Sequence, residues 1–200
     1  MAVVGVLGLV AAAGWATARV LEDSDAIPVQ TNPRDAAQAQ QKLLRLAGGA
    51  REDIVLTEDE LTAFVARNLD RRDLPLDEPV IRLRGPDVVE MSGRVPLGRL
   101  LEDWPVQRLA DLLASDWRTR PIALRLTAQA TLERGPRRQL RLDVRAFRMG
   151  RQPLPPSLLC LLSDPACLRF VRIPVPDSVA AVRIETGRAV IQPISSRGRT

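Results

Sequence analysis

Residues 122–147, IALRLTAQATLERGPRRQLRLDVRAF, carry the pattern that decides the fold. Ile122, Leu124, Leu126, Ala128, Ala130 and Leu132 alternate with Ala123, Arg125, Thr127, Gln129, Thr131 and Glu133. A period of two puts the first set on one side of an extended strand and the second on the other. Gly135-Pro136 turns the chain. Leu140, Leu142, Val144 and Ala146 then form the apolar face of a return strand. On this reading Phe147 projects to the polar side, together with Arg125, Arg141 and Arg145. Two such strands predict an antiparallel sheet with one buried and one wet face.

The same period extends outward. Upstream, Ile81 and Leu83 alternate with Arg82 and Arg84, and Val89, Met91, Gly93 and Val95 alternate with Glu90, Ser92 and Arg94. Downstream, residues 182–184 and 190–191 predict a last hairpin turning at Thr186-Gly187. Helical signals lie between and before the strands. Asn32 caps a helix with Pro33 in its first position, running to Gly48-Gly49. Thr57-Glu58-Asp59-Glu60 is a capping box, followed by Leu61, Phe64, Val65 and Leu69 on one face. Residues 105–114 predict a short amphipathic helix, and Pro155 opens a short apolar one. Pro153, Pro155, Pro156, Pro174 and Pro176 predict extended edges rather than central strands. The fold class is α+β, with an N-terminal transmembrane helix and then two helices packed on a curved antiparallel β-sheet.

Residues 1–18 contain no charge, and with Val20 and Leu21 the apolar run reaches the roughly 20 residues that cross a bilayer. Gly5, Gly8 and Ala12 suit close helix packing in lipid, and Trp15 sits near one end of the span, at an interfacial position. Ala16-Thr17-Ala18 matches a signal-peptidase pattern, but the basic segment that precedes such a signal is missing. The domains predicted are an anchor at 1–21, a linker at 22–36 and an α+β domain at 37–200. Arg19 after the span favours a cytoplasmic C-terminal domain by the positive-inside rule. The signal-like N-terminus and the cysteine placement favour the opposite side. The reading adopted is a single-pass protein of the cell inner membrane with its C-terminal domain in the periplasm.

The side-chain inventory limits the chemistry. The chain of 200 residues has no His and no Tyr, and Lys42 is the one lysine among 29 basic residues. The usual proton shuttle is therefore missing, and Ser–His–Asp and Cys–His arrangements are impossible. Two cysteines are too few for a usual zinc site. There is no P-loop and no GxGxxG. The expectation is no enzyme activity, no cofactor and no metal. Cys160 and Cys167, with six residues between them, either close a small disulfide loop in an oxidising compartment or remain buried thiols.

Residues 118–151 hold ten arginines against Glu133 and Asp143, a net of +8. Arg125, Arg141, Arg145 and Phe147 are the residues expected to contact a partner or an anionic lipid. Nucleic acid is not expected, since no recognised binding motif is present.

The order of the anchor, LTEDELTAFV (56–65), the long amphipathic strands, GRQPLPPSLL (150–159) and VRIETGRAVI (182–191) resembles uncharacterised single-span bacterial extracytoplasmic domains distantly similar to tubular lipid-binding proteins. The resemblance covers residues 55–193 as a pattern and transfers no binding residue. It implies a curved sheet wrapped on a helix, with an apolar interior that accepts a lipid.

The function expected is a non-catalytic accessory subunit. Its extracytoplasmic domain braces a larger membrane complex, whether photosynthetic, respiratory, transport or secretion. The alternative is a lipid-binding or lipid-handling periplasmic domain. The partners expected are integral membrane protein subunits and membrane lipids, with no small-molecule substrate.

Overall fold

A computed structural model describes residues 32–68, 76–96, 98, 119–135, 138–155 and 170–194. The expectations for residues 1–21 (with Gly5, Gly8, Ala12 and Trp15), for the helix at 105–114 and for Cys160 and Cys167 lie outside these residues. Among the described residues no helix is long and apolar enough to cross a membrane.

Helix α1 spans Pro33–Ala47. The Asn32 side chain accepts a hydrogen bond from the Arg34 amide at 3.0 Å, and Pro33 supplies a preset φ where no amide donor is needed. The helix therefore includes residues 33–36, the last four of the predicted linker. Ala36, Ala39 and Leu46 make its buried stripe. Strand β1, Ile54–Thr57, follows, and helix α2, Glu58–Asn68, starts directly from it. Thr57 closes the strand and caps the helix. Its amide donates to Glu60 Oε2 at 2.9 Å, and its hydroxyl accepts from the Glu60 amide at 3.3 Å.

The remaining strands are β2 (Asp77–Leu83), β3 (Val88–Pro96), β4 (Pro121–Arg134), β5 (Arg138–Met149), β6 (Gln152–Leu154), β7 (Phe170–Pro174), β8 (Val179–Glu185) and β9 (Arg188–Pro193). One sheet has the order β1-β9-β8. The other has the order β2-β3-β4-β5-β6, with β7 also on β5. Every pairing is antiparallel. Together they make a strongly curled surface on which the two helices pack. β6 and β7 hold Pro153 and Pro174 and, among the described residues, pair with β5 alone, as the proline spacing predicts.

Two side-chain devices set the curl. First, α2 covers the edge of β2. The buried Thr62 hydroxyl accepts the Ile81 amide at 2.9 Å, and Glu58 Oε1 accepts the Leu83 amide at 2.6 Å. Residues four apart on a helix and two apart on a strand have nearly the same spacing, so one helical turn satisfies two edge donors. Second, the β2–β3 turn joins the two sheets. The Asp87 amide donates to the Ile184 carbonyl, and the Ile184 amide donates to Asp87 Oδ1, each at 2.9 Å. Gly85, at φ +46°, lies so close to the β8–β9 turn that a Cβ would stand 3.0 Å from the Thr186 amide nitrogen.

Three apolar clusters fill the inner side. Ala39, Leu46, Ile54, Leu56, Val179 and Ile191 lie under the helices. Ile81, Leu83, Ala130, Ile184 and Ala189 lie where the two sheets meet. Leu76, Val95, Leu124 and Phe147 lie at the far end of the long strands.

The long hairpin corrects one expectation. Leu126 pairs with Phe147, Thr127 with Ala146 and Ala128 with Val144, so Arg145 is an extra residue on β5. Such a bulge breaks the period of two. Arg145 and Ala146 are both exposed, and Phe147 is only 1% exposed within the far cluster. Phe147 therefore belongs to the core and not to the arginine face, and Ala146 leaves the apolar face. Simple alternation carried past residue 144 assigns both to the wrong side.

Candidate interaction surface

The outer side of the six-stranded sheet carries the polar residues of β3, β4 and β5. In register, Glu90 lies beside Thr127 and Ser92 beside Arg125, while Thr131 lies beside Arg141 and Arg125 beside Arg148. β7 adds Arg172 directly across from Arg141. The sequence thus gathers six arginines, counting Arg145 and Arg84, on one surface with Glu90, Glu133 and Asp143.

Most of this charge is engaged within the sheet. Arg141 Nη1 lies 3.0 Å from Glu133 Oε1, and its Nε lies 2.8 Å from Asp143 Oδ1. The hydrogen bonds to Glu133 and then Asp143 raise its pKa above the ordinary arginine value, so it stays a guanidinium. Arg172 Nε lies 3.4 Å from Glu133 Oε2, and one carboxylate thereby relieves the repulsion between two arginines that face each other across β5 and β7. Arg84 and Arg125 share Glu90 at 3.5 and 3.6 Å. Each of these partly exposed pairs contributes about 0–1 kcal/mol, so their main effect is to cancel the field of the arginines they hold.

Arg145 and Arg148 differ. Both are exposed, and among the described residues neither forms an ion pair. The excess positive charge of the face is therefore concentrated on the bulge. Of the predicted contact residues, Arg125 and Arg141 are on the expected face but engaged, Arg145 is on it and open, and Phe147 is behind it. Arg148 was within the basic run but was not singled out, because only the bulge makes it a neighbour of Arg145 on one side of the strand.

The inner side of the same strands is apolar, and at its far end several side chains are only partly buried. Met91, Leu126, Met149 and Leu154 are half-buried and pack against Leu124 and Phe147. The register aligns Met91, Leu126, Phe147 and Leu154 across four successive strands. Flexible thioethers, Met91 at one end of this row and Met149 two residues beyond Phe147 on β5, suit a surface that repacks around a guest.

A buried charge lies on the opposite end of the domain. Glu60 is 4% exposed, and its carboxylate receives the Lys42 ammonium at 2.6 and 2.8 Å. Lys42 also donates to the Val55 carbonyl at 2.7 Å. One ammonium thus links α1, β1 and α2. Three donors around a compact head fit this site, whereas the planar fork of arginine does not. The composition held the signal, since this is the one position where an arginine-rich chain keeps a lysine. A cleft of about 200 Å³ between α1 and α2, lined by Asn32, Pro33, Ala36, Ala63, Ala66 and Arg67, has mainly alanine walls.

No protein-family model, no curated protein and no solved structure matches this chain.

Proposed function

We propose that this chain is a non-catalytic domain, tethered to the outer face of a cell inner membrane by residues 1–21, that holds an acyl chain against the inner side of its long strands. The observation that carries this reading is the aligned row of Met91, Leu126, Phe147 and Leu154, three of whose members are half-buried on a strongly curled sheet. Apolar side chains left partly open at the end of a core favour an apolar guest by roughly 25 cal/mol per Å² of surface covered. The patterned resemblance to tubular lipid-binding proteins points the same way.

The test is a pair of filling substitutions, Leu126→Trp and Met149→Trp, in the full chain purified in mild detergent. Lipid extracted with the protein is measured by mass spectrometry, and folding by circular dichroism. Loss of bound lipid from a folded variant supports the reading. Lipid retained at the parent level sinks it.

A second reading is an accessory subunit that braces a larger membrane complex. It is favoured by the concentration of open charge at Arg145 and Arg148, which suits an acidic protein partner. Charge reversal at Arg145 then weakens copurification with integral membrane proteins. Copurification unchanged by that reversal counts against it.

A further inference from the structure

We propose that the bulge segment Arg145–Arg148 is a docking site for the phosphate headgroups of an anionic bilayer surface. The inference rests on the tethered reading above and adds where the domain meets the membrane.

Three observations converge on this segment. The first is the pairing of the outer arginines. Arg125, Arg141 and Arg172 have carboxylates within 2.8–3.6 Å, and Arg145 and Arg148 form no ion pair among the described residues. The second is register. Arg148 stands directly across from Arg125, a like-charged pair that costs stability unless an anion lies between or above the two guanidinium groups. Glu90, the nearest acid on β3, already serves Arg125 and Arg84. The third is the backbone. On the far edge of β5, β7 pairs with residues 139–143 and β6 with residues 147–149. Among the described residues no strand pairs with 144–146 on that edge, and the bulge leaves Arg145 and Ala146 exposed there.

Two arginines, a small exposed alanine between them and a strand edge unpaired among the described residues make a shallow cationic site without an aromatic platform. Arginine binds phosphate oxygens in a bidentate manner, and a flat row of them fits a surface of many phosphates better than one enclosed anion. The tether makes the encounter local. The eleven residues from Glu22 to Asn32 extend at most about 35–40 Å, so the domain stays within about one molecular diameter of the bilayer. Each arginine near an anionic leaflet contributes roughly a five-fold gain in occupancy. Arg141 and Arg125 contribute little, because docking them would first require breaking their carboxylate pairs.

The experiment reconstitutes the full chain into phosphatidylcholine vesicles with and without phosphatidylglycerol. Arginine modification by phenylglyoxal is then mapped by mass spectrometry. Arg145 and Arg148 should lose reactivity several-fold in the anionic vesicles, while the exposed Arg34 and Arg183 change little. The double variant Arg145→Lys/Arg148→Lys should keep most of the domain's protection in neighbouring peptides, and Arg145→Glu/Arg148→Glu should abolish it. Equal reactivity of Arg145 and Arg148 in both vesicles overturns the proposal. The same mapping is made in native membranes, and protection found there but absent from the anionic vesicles also overturns it and assigns the segment to a protein partner. Neither outcome bears on lipid held inside the domain, which the filling substitutions measure separately.

Discussion

Replacing Lys42 by Met tests the physical account of the helical end. In the folded chain the ammonium has three acceptors, two on Glu60 at 2.6 and 2.8 Å and one on Val55 at 2.7 Å. Met keeps the apolar stem and removes the charge. The Glu60 carboxylate, 4% exposed, is then left with the Thr57 amide as its remaining donor, and the Val55 carbonyl loses its side-chain donor. Removing one partner of a fully buried pair costs about 3–5 kcal/mol. The Lys42 side chain is 34% exposed, so water reaches part of the vacated site, and the expected loss is about 2–3 kcal/mol. Glu60→Leu in the same background removes the stranded charge but also half of the capping box, worth about 1 kcal/mol. The double variant should therefore be more stable than Lys42→Met alone, by about 1 kcal/mol. Lys42→Arg should lose about 1 kcal/mol, because a planar fork cannot reach all three acceptors together. Urea unfolding of the full chain in mild detergent, followed by far-ultraviolet circular dichroism, reads the stability of the parent, of these variants and of Glu60→Leu alone, which completes the cycle. A Lys42→Met loss under about 0.5 kcal/mol, or strict additivity in the double variant, refutes the reasoning.

Three further outcomes follow from the sheet. Phe147→Ala should cost about 3–5 kcal/mol in the same unfolding assay, whereas a surface residue there would cost almost nothing. Deleting Arg145 should leave stability within about 1 kcal/mol of the parent, because Val144, Ala146 and Phe147 then run in, out and in along a regular ladder; a loss beyond about 3 kcal/mol would show that the bulge itself supports the fold. Thr62→Val keeps the shape of a side chain that is 1% exposed but removes the acceptor of the Ile81 amide, and should cost about 1–3 kcal/mol. Hydrogen exchange at Ile81 measures the same change locally, with faster exchange expected and unchanged exchange counting against it.

Much of the sheet was legible because it is wet on one side. β3, β4, the last hairpin and the end of β2 from Ile81 show the alternation that a half-buried strand requires, and the edge role of β6 and β7 followed from Pro153 and Pro174. The capping boundaries were legible for the same local reason, since Asn32 and Thr57 act on amides two or three residues away. β1 was not, because four residues directly before a helix carry too little pattern to separate from its cap. The bulge was not either. An extra residue at Arg145 is set by what β4, β6 and β7 demand of β5, and those demands are long-range. That one residue breaks the alternation on β5, since it sends Phe147 inward and brings Arg145 and Arg148 to one side. The neutralisation of Arg141 by Glu133 and Asp143 was half visible, as a sum of charges but not as a geometry.

Lipid held on the inner face of the long strands is the central claim, and one preparation tests it most directly. The full chain is extracted from its native membrane in mild detergent, and its proteins and lipids are measured together by mass spectrometry. The account predicts a chain that carries lipid at a fixed stoichiometry, which is lost in the folded Leu126→Trp and Met149→Trp variants. A chain free of lipid, purified with a stoichiometric set of membrane proteins, contradicts it and establishes the bracing role in its place.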